Sequence, residues 1–259
     1  MKTRSALEQL RSRLMAGEFT PGSHLQEEIL ADMLGVSRTP VRSALALLAQ
    51  DGLLDYAPKR GFRVRHHGSK EIADAWELRA TMEGAACRLV AARGMEPAAL
   101  AALQAHLVPV DAVFARGSID ADGLVAYREM NVKFHDDILR AADNKFLSDF
   151  VAQLCKLPVS TAAVAEFYGH LPTPRGMEFL FDFTWLQRSH DDHHRIVSAI
   201  AERDARRAEY LMVEHIQAAG RYILNRELTA PVQPAAPRPG RARNEATAAQ
   251  KPSGSSRGM

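Results

Sequence analysis

The sequence contains little cysteine, no long apolar run and almost no net charge. Its 259 residues include two cysteines, Cys87 and Cys155, and no CxxC motif, which excludes a disulfide framework and predicts reduced thiols. No unbroken apolar run approaches the ~18 residues of a transmembrane helix. The first 14 residues lack the continuous apolar core of a signal peptide. We therefore expect a cytoplasmic protein that does not insert into a membrane.

The formal net charge of +2 hides an uneven distribution along the chain. Residues 1–68 contain ten basic and seven acidic residues, residues 69–228 contain 18 and 23, and residues 229–259 contain five and one. A basic head and a basic tail therefore flank an acidic middle. This asymmetry favours a head that binds a polyanion.

Three regions differ in composition and hydrophobic period. Residues 1–67 mix short helical patterns with a turn-rich end, and residues 69–228 are almost entirely helical in period. Residues 229–259 are rich in Pro, Ala, Gly, Ser and Arg and nearly free of large apolar side chains. Such a segment cannot bury enough surface to offset the entropy of ordering, so we expect a disordered basic tail after two folded domains.

The middle region is predicted to be an antiparallel all-α bundle. Helical periods cover six segments: 70–93, 97–116, 120–142, 144–166, 180–202 and 204–226. Their connections are short except for residues 167–179, whose two prolines and two glycines mark a loop. Helices with short connections pack antiparallel, and no segment alternates in the way of a strand. The protein is therefore expected to be mainly α.

The head is predicted to begin with three short helices. Residues 6–16 and 25–34 have apolar side chains at helical spacing. Gly35 ends the second helix, since glycine accepts the left-handed backbone of a helix C-terminus. Ser37 can cap the third helix, and Pro40 is tolerated in its first turn because the missing N–H would be unpaired there.

The third helix has two faces of different chemistry. Its apolar face consists of Val41, Ala44, Leu45 and Leu48. Its opposite face consists of small residues around one arginine, namely Thr39, Arg42, Ser43 and Ala46. Small side chains permit close approach to a DNA major groove, and arginine can bond a guanine edge or a phosphate. The pattern is typical of a recognition helix.

Two short strands, residues 53–56 and 62–67, are predicted after this helix. The turn between them carries Lys59 and Arg60. A basic hairpin tip can contact phosphates or an adjacent minor groove. The alternative is a helix-turn-helix that packs against protein while its charges are solvated. The complete order of three helices, an arginine-bearing third helix and a basic hairpin favours DNA.

The segment LADMLGVSRTPVRSALALLAQDGLLDYAPKRGFRV resembles the winged-helix domain of the GntR family of bacterial transcription regulators. The motifs GEFTPGSHL, SRTPVR, DGLL and RGFRV occur in this order within residues 7–64. The resemblance implies DNA contacts for Arg38, Thr39 and Arg42 and, at the wing, for Gly61, Lys59 and Arg60. For Lys59 and Arg60, solvated wing charges are an alternative explanation.

Three histidines of the middle region are predicted to point into the bundle. His135, His194 and His215 lie on three different helices, and each shares a helical face with apolar residues. Convergent inward histidines form metal sites in helical bundles, and neutral imidazoles bind Zn²⁺ and other first-row ions. The alternative is that each histidine is a hydrogen-bonded core residue.

The segments ELRATMEGAACRLVAARG, NVKFHDDILRAADN and HDDHHRIVSAIAERDARRAEYLMVEHI resemble the FCD ligand-binding domain of the FadR subfamily of GntR regulators, over roughly residues 71–226. Many FCD domains bind a divalent metal through one Asp and three His. The motif positions imply the ligands Asn131, His135, His194 and His215. Asn131 stands where the family commonly has Asp, so it offers an oxygen without charge and implies weaker metal binding. His190, one turn before His194, can compensate or can be a surface residue.

The resemblance also implies a small carboxylate effector, such as a sugar acid, inside the helical domain. Arg79 occupies a position where the family often has an arginine facing the cavity, and a guanidinium pairs with a carboxylate bidentately. Arg128 points to the side of Asn131 and is a second candidate, and His190 is a third. For both arginines the alternative is an intramolecular salt bridge, with Glu83 one turn from Arg79.

Together these patterns predict a DNA-binding transcriptional regulator and not an enzyme. A homodimer would place two recognition helices in successive major grooves, so the operator should be a short palindrome; repression is the commoner sense in the family. The effector would change operator affinity, with residues 66–70 as the pivot. Two alternatives stay open. One is a metal-dependent hydrolase that uses the three histidines. The other is a fatty-acyl sensor, but a long acyl chain needs an apolar tunnel, and the inward histidines argue against such a tunnel.

Overall fold

The computed structural model describes residues 2–15, 18–155 and 182–229, and this part of the chain is mainly helical with one small sheet. Its first section contains three helices and three strands: α1 Lys2–Met15, β1 His24–Leu25, α2 Glu27–Leu34, α3 Arg38–Gln50, β2 Leu54–Ala57 and β3 Gly61–Val64. Its second section contains six helices: α4 Ser69–Arg93, α5 Pro97–Phe114, α6 Ala121–Ala141, α7 Lys145–Cys155, α8 Phe183–Ala201 and α9 Ala205–Thr229.

The three strands form an antiparallel sheet in the order β1-β3-β2. In the central strand, Phe62 is paired with Leu25 of β1 on one side and with Tyr56 of β2 on the other. The β2–β3 hairpin is the predicted wing. Strand β1 was not predicted, because its two residues are too few to show an alternating pattern.

The predicted recognition helix, α3, begins where the sequence indicates. Gly35 has φ +63° and ends α2 in the left-handed conformation, and Ser37 occupies the N-cap position of α3 in an extended conformation. The predicted apolar face is fully buried against α1 and the sheet and consists of Val41, Ala44, Leu45 and Leu48. The opposite face is exposed and consists of Thr39, Arg42, Ser43 and Ala46. Helix α3 therefore presents its polar face to solvent.

Acidic side chains define the start of three bundle helices. Glu96 accepts hydrogen bonds from the backbone N–H groups at the start of α5, Asp120 does so for α6, and Asp182 does so for α8. Each carboxylate satisfies an otherwise unpaired donor and interacts favourably with the helix dipole. These caps explain why the observed helices begin within three residues of the predicted starts.

The buried hydrophobic residues form two separate clusters. One is built from residues 6–64 of the winged-helix section, and the other from residues 72–219 of the helical bundle. Cys87 lies buried in the second cluster, and both cysteines are free thiols. The described part of residues 69–229 is helical throughout apart from short connections, as the sequence predicts.

One described helix, α5, is long and apolar enough to cross a membrane by length and composition alone, with a mean hydropathy of 1.3. Leu103, Leu107 and Val110 of this helix are buried in the bundle core. Its Asp111 is hydrogen-bonded to two histidines of α8. These contacts are those of a core helix in a bundle.

Three predictions fall on residues that the structure does not describe. The second half of the helix predicted at 144–166 and the loop predicted at 167–179 both lie within residues 156–181. The tail predicted to be disordered lies almost entirely within residues 230–259. All three stay predictions.

Candidate functional site

A groove on the winged-helix section lies between the N-terminus of α3 and the tip of the β2–β3 hairpin. Four exposed cationic side chains line it, namely Arg38, Arg42, Lys59 and Arg60. Gly61 lines the same groove, and Thr39 is exposed at the start of α3. The six residues predicted to contact DNA therefore lie in this groove or beside it.

Glu27, at the start of α2, lies between the two arginines of the recognition helix. One of its carboxylate oxygens is 3.9 Å from Nη2 of Arg38, and the other is 3.7 Å from Nε of Arg42. Both arginine side chains are about two-thirds exposed, so solvent weakens these contacts. Glu27 therefore lies beside both guanidinium groups and leaves them accessible. This contact could not be predicted from the sequence, since a glutamate in a first helical turn is common.

The tip of the wing is a tight turn with two left-handed residues. Lys59 has φ +65° and Gly61 has φ +75°, a conformation that glycine adopts freely and lysine adopts rarely. The N–H of Arg60 donates to the carbonyl of Ala57 at 3.0 Å and closes the turn. This backbone directs the tip, with its two cations, away from the sheet and into solvent.

In the helical bundle, His135 of α6, His193 of α8 and His215 of α9 converge. One nitrogen of each ring lies within 4.8 Å of the others, and all three side chains are buried. The ring centroids of His193 and His215 are 4.6 Å apart, and those of His135 and His215 are 5.4 Å apart. Three imidazoles from three helices form a donor set that suits a Zn²⁺-like ion. We call these three residues the buried triad.

The structure corrects the prediction that His194 is the third histidine of this group. His194 is 46% exposed, and its Nε2 lies 2.8 Å from Oδ1 of Asp111, outside the buried triad. His193 shares the buried face of α8 with Leu186 and Val197, whereas His194 is rotated about 100° further around the helix. In the run HDDHH every position is polar, so the hydrophobic pattern left the choice between the two neighbours open.

His135 is oriented by a buried carboxylate that the sequence analysis considered only as a partner of Arg79. Its Nδ1 lies 2.5 Å from Oε2 of Glu83, while Nε of Arg79 lies 2.5 Å from Oε1 of the same residue. Burial alone would raise the pKa of Glu83, but Arg79 and His135 outweigh it and lower the pKa to about 2. The ionised carboxylate accepts the Nδ1–H of His135, so Nε2 is the ring nitrogen that is left to bind a metal. A metal-binding histidine commonly donates its other ring N–H to a carboxylate, which orients the imidazole in this way.

The other two histidines are held in their neutral form. Burial, together with the nearby charges of His135 and Arg79, lowers the pKa of His215 to about 3. Burial and the neighbouring histidines lower the pKa of His193 well below its usual value. Neither ring nitrogen of His193 has a hydrogen-bond partner among the described residues, although buried polar atoms normally have one. A metal ion held by the three rings would supply the partner that His193 lacks among the described residues.

A cavity of about 630 Å³ lies beside His135 and His215. Part of its wall is apolar or aromatic and includes Trp76, Tyr127, Trp185, Leu186 and Ile216. The charged part contains four cations and two anions, namely Arg79, Arg128, Lys133, Arg140, Glu129 and Asp136. Asn131 lines the same cavity one turn before His135. Three of the four metal ligands implied by the sequence therefore face one cavity.

The two arginines predicted to bind the effector both line this cavity, in different surroundings. Arg79 is buried and forms the salt bridge with Glu83 that the sequence analysis left open as an alternative. Its guanidinium carbon also lies 5.4 Å from the ring centroid of Trp76. Arg128 is half-buried in the cavity wall. Arg79 therefore supports the triad through Glu83, and Arg128 is the better placed of the two to meet an anion.

His190, the third residue predicted near the effector, does not line the cavity where the structure describes its wall. Its ring is buried, and Nε2 lies 2.6 Å from Oδ1 of Asp111, the same oxygen that His194 contacts. Burial would raise the pKa of Asp111, but the hydrogen bonds from both histidines outweigh it and lower the pKa. Asp111, His190 and His194 therefore form a second cluster, separate from the buried triad.

Comparison with known proteins covers both sections. Residues 2–64 match the gntR family of bacterial regulatory proteins, and residues 74–218 match the FCD domain. The uncharacterized HTH-type transcriptional regulator YdhC of Bacillus subtilis is 29% identical over 55% of this chain, and the match spans 62% of YdhC. The HTH-type transcriptional repressor GlaR of Escherichia coli is 28% identical over 80% of this chain and 89% of GlaR.

Among solved structures, Escherichia coli McbR/YncC has the same fold, with a TM-score of 0.63 and 22% identity over 88% of this chain and 99% of that chain. The sequence relatives are transcriptional regulators and not enzymes, so the hydrolase alternative has no support. The FCD match alone covers more than half of the chain. The chain therefore belongs to the GntR family of bacterial regulatory proteins, and it is a DNA-binding transcriptional regulator with a winged helix-turn-helix domain followed by an FCD domain.

Proposed function

We propose that this regulator binds a palindromic operator as a homodimer and that a small carboxylate, bound in the cavity of the FCD domain beside a divalent metal ion, controls its affinity for the operator. The observation that carries the proposal is the cavity itself. It joins His135 and His215, two of the three convergent histidines, to a wall with more cationic than anionic residues. Regulators of the GntR family bind operators and commonly dimerise.

The ligands of the metal ion would be His135, His193 and His215, with the amide oxygen of Asn131 as a fourth. Glu83 directs Nε2 of His135 away from itself, because the carboxylate already accepts the Nδ1–H. The bound ion supplies positive charge that attracts a carboxylate oxygen. Asn131 adds no negative charge, so this positive charge would be less neutralised than with an aspartate.

The effector would enter as an anion and meet Arg128, Lys133 and Arg140 on the cavity wall. A guanidinium pairs with a carboxylate through two parallel hydrogen bonds. The cavity volume of about 630 Å³ is in the range of sites for small molecules. Tyr127 donates its hydroxyl to Ser189 at 2.8 Å, and this bond fixes another polar part of the wall.

On the DNA side, Arg38, Thr39 and Arg42 would contact bases or phosphates in the major groove, and the wing would contact phosphates. A two-fold dimer repeats this contact about one helical turn away. Residues 66–70 lie where the winged-helix section meets the helical bundle. They would act as the pivot when the effector binds. We place this activity in the cytoplasm, where operator DNA is accessible, and we expect repression, the sense that the name of GlaR states.

Fluorescence anisotropy with DNA from upstream of the protein's own gene tests the regulatory proposal. The probes are citrate, malate and gluconate, added to Zn²⁺-loaded protein. We expect sequence-specific binding that at least one acid changes about tenfold or more, an effect in the usual range of allosteric coupling. Arg128→Ala should abolish the response to the acid and retain DNA binding. Arg116→Ala, an exposed arginine outside the cavity, is the matched control.

Two results would contradict this proposal. If the protein showed no sequence-specific binding to the upstream DNA at physiological salt, this DNA would contain no operator for it. Specific binding that none of the three acids changes would contradict control by a small carboxylate. For the metal, elemental analysis should find one ion fewer per chain in the His135→Ala, His193→Ala double variant than in the wild type, and equal contents would mean that the triad is structural.

A further inference from the structure

A second group of side chains that could hold a metal ion lies on α5 and α8, and none of its three residues lines the cavity. His190 and His194 are one turn apart on α8, and both face Asp111 of α5. Their Nε2 atoms lie 2.6 and 2.8 Å from the same oxygen, Oδ1 of Asp111. Two imidazole nitrogens and one carboxylate oxygen therefore meet at one point.

We propose that Asp111, His190 and His194 form a second binding site for a divalent first-row transition metal, open to solvent and distinct from the buried triad. Two histidines at positions i and i+4 of a helix present both rings on one face, which is the spacing used by helical zinc sites. The third ligand comes from the neighbouring helix. Three protein ligands with an open fourth position are a common coordination pattern for Zn²⁺.

The geometry needs only a small adjustment to accept an ion. A tetrahedral ion with bonds of about 2.0–2.2 Å separates its nitrogen and oxygen ligands by roughly 3.3 Å. The observed nitrogen-to-oxygen distances are 2.6 and 2.8 Å, so the carboxylate must withdraw by about half an ångström. Asp111 and His194 are 43% and 46% exposed, which gives both side chains room to move.

The two sites are neighbours on α8 and differ in access. The ring centroids of His190 and His193 are 6.0 Å apart. His193 nevertheless groups with the other two histidines of the buried triad, whereas His190 contacts Asp111. Two of the three ligands of the proposed site are half-exposed, whereas every ligand of the triad is buried. We therefore expect ions at the open site to exchange with solvent much faster than ions in the triad.

The test is a Zn²⁺ titration of the full chain after removal of metal with EDTA, read by elemental analysis and by calorimetry. The wild type should bind two ions per chain, one held more weakly and removed faster by chelator. Asp111→Asn and His194→Gln should each bind one ion and retain the slow phase. His66→Gln, which changes an exposed histidine outside both clusters, should bind two.

Variants of the triad separate this inference from the proposed function. His135→Ala combined with His215→Ala should lose the slowly exchanging ion and retain the fast one, and the spectrum of bound Co²⁺ should then report the open site alone. A wild type that binds no rapidly exchanging ion, or a His194→Gln variant that binds as many ions as the wild type, would overturn the second site. Melting temperatures in EDTA check folding, since both substituted side chains of the open site are half-exposed.

Discussion

Two arginines of the recognition helix, Arg38 and Arg42, lie beside the carboxylate of Glu27, and this contact affects how they can bind DNA. Because Arg38 and Arg42 are about two-thirds exposed, their contacts with Glu27 are weak in water and can be exchanged for DNA. The carboxylate also repels phosphates that approach from its side. At the scale of residues, Glu27 therefore favours base edges or phosphates that meet the arginines from the solvent side.

Arg42→Ala should weaken specific operator binding by about 1–3 kcal/mol, or roughly fivefold to 150-fold, because a guanidinium in the major groove is lost. Competition between operator and random DNA in an anisotropy assay measures the effect. Arg4→Ala, an exposed arginine of α1 paired with Glu8, is the control and should change little. An equal loss in both variants would mean that general charge, and not position, controls binding.

Lys59→Ala should act differently, because the wing lysine is expected to contact a phosphate. Such a contact carries no sequence information, so affinity for specific and random DNA should fall together. The slope of log affinity against log salt should become shallower by about 1. A loss confined to the specific operator would contradict the assignment of Lys59 to a phosphate.

His67 gives the joint between the two domains a dependence on pH. Burial, followed by the charge of Arg65, lowers the pKa of His67 below its usual value. The unfolded chain therefore binds this proton more readily, and the free energy of unfolding should fall as the pH drops below about 6.5. Urea unfolding at pH 7.5 and 5.5 should show a smaller pH effect in His67→Gln than in the wild type. The exposed neighbour His66 provides the control, and His66→Gln should retain most of the effect, because His66 makes the smallest contribution to the lowered pKa of His67.

At the scale of elements, α4 and α9 approach closely through two glycines. A Cβ at Gly84 would lie 2.6 Å from Cγ2 of Val213, and a Cβ at Gly220 would lie 2.9 Å from Cγ of Trp76. Both distances are shorter than van der Waals contact. The two positions fix how near α9, which carries His215, can come to α4, which carries Glu83.

Gly84→Ala should therefore destabilise the protein. Overpacking costs about 1–3 kcal/mol, and the gain in helix propensity of roughly 1 kcal/mol offsets only part of it. Chemical denaturation of the metal-free protein measures the difference. Gly68→Ala has open space around the new Cβ, so it should cost only about 0.5–1 kcal/mol, because alanine is a less favourable N-cap residue on α4. An alanine at position 84 that stabilises the protein would show that α4 and α9 can separate without cost.

Helix α3 and the bundle helices could be predicted because their apolar positions recur at helical spacing and their ends carry glycine or a capping carboxylate. The phase of α8 could not be predicted, since residues 190–194 are all polar. Leu186 and Val197 lie at helical spacing from both His193 and His194, so they did not decide between the two. Glu83 could be predicted as a partner of Arg79, because the two are one helical turn apart. Its hydrogen bond to His135 of α6 depends on how α4 and α6 pack, and this packing could not be predicted from the sequence alone.

At the scale of the whole molecule, two hydrophobic clusters imply two cooperative units. Residues 6–64 and residues 72–219 bury their apolar side chains separately. A ligand that binds one folded unit stabilises that unit by mass action. Metal and DNA should therefore stabilise different parts of the chain.

Removal of metal should lower the melting temperature of the FCD domain and leave that of the winged-helix domain unchanged. With free Zn²⁺ at about 100 times the dissociation constant, the expected stabilisation is roughly 2.7 kcal/mol, or about 5–10 °C for a domain of this size. Scanning calorimetry of the full chain with Zn²⁺ and with EDTA measures both transitions. Operator DNA should raise the other transition.

His215→Ala should remove most of the Zn²⁺-dependent shift, because the buried triad loses one of its three imidazoles while the open site at Asp111 stays intact. Comparing each variant with and without Zn²⁺ cancels any effect of the substitution on the metal-free fold. If Zn²⁺ raised both transitions equally in the wild type, the two clusters would unfold as one unit. In that case the effector would act on the DNA-binding domain through a shared core, and residues 66–70 would not be a pivot.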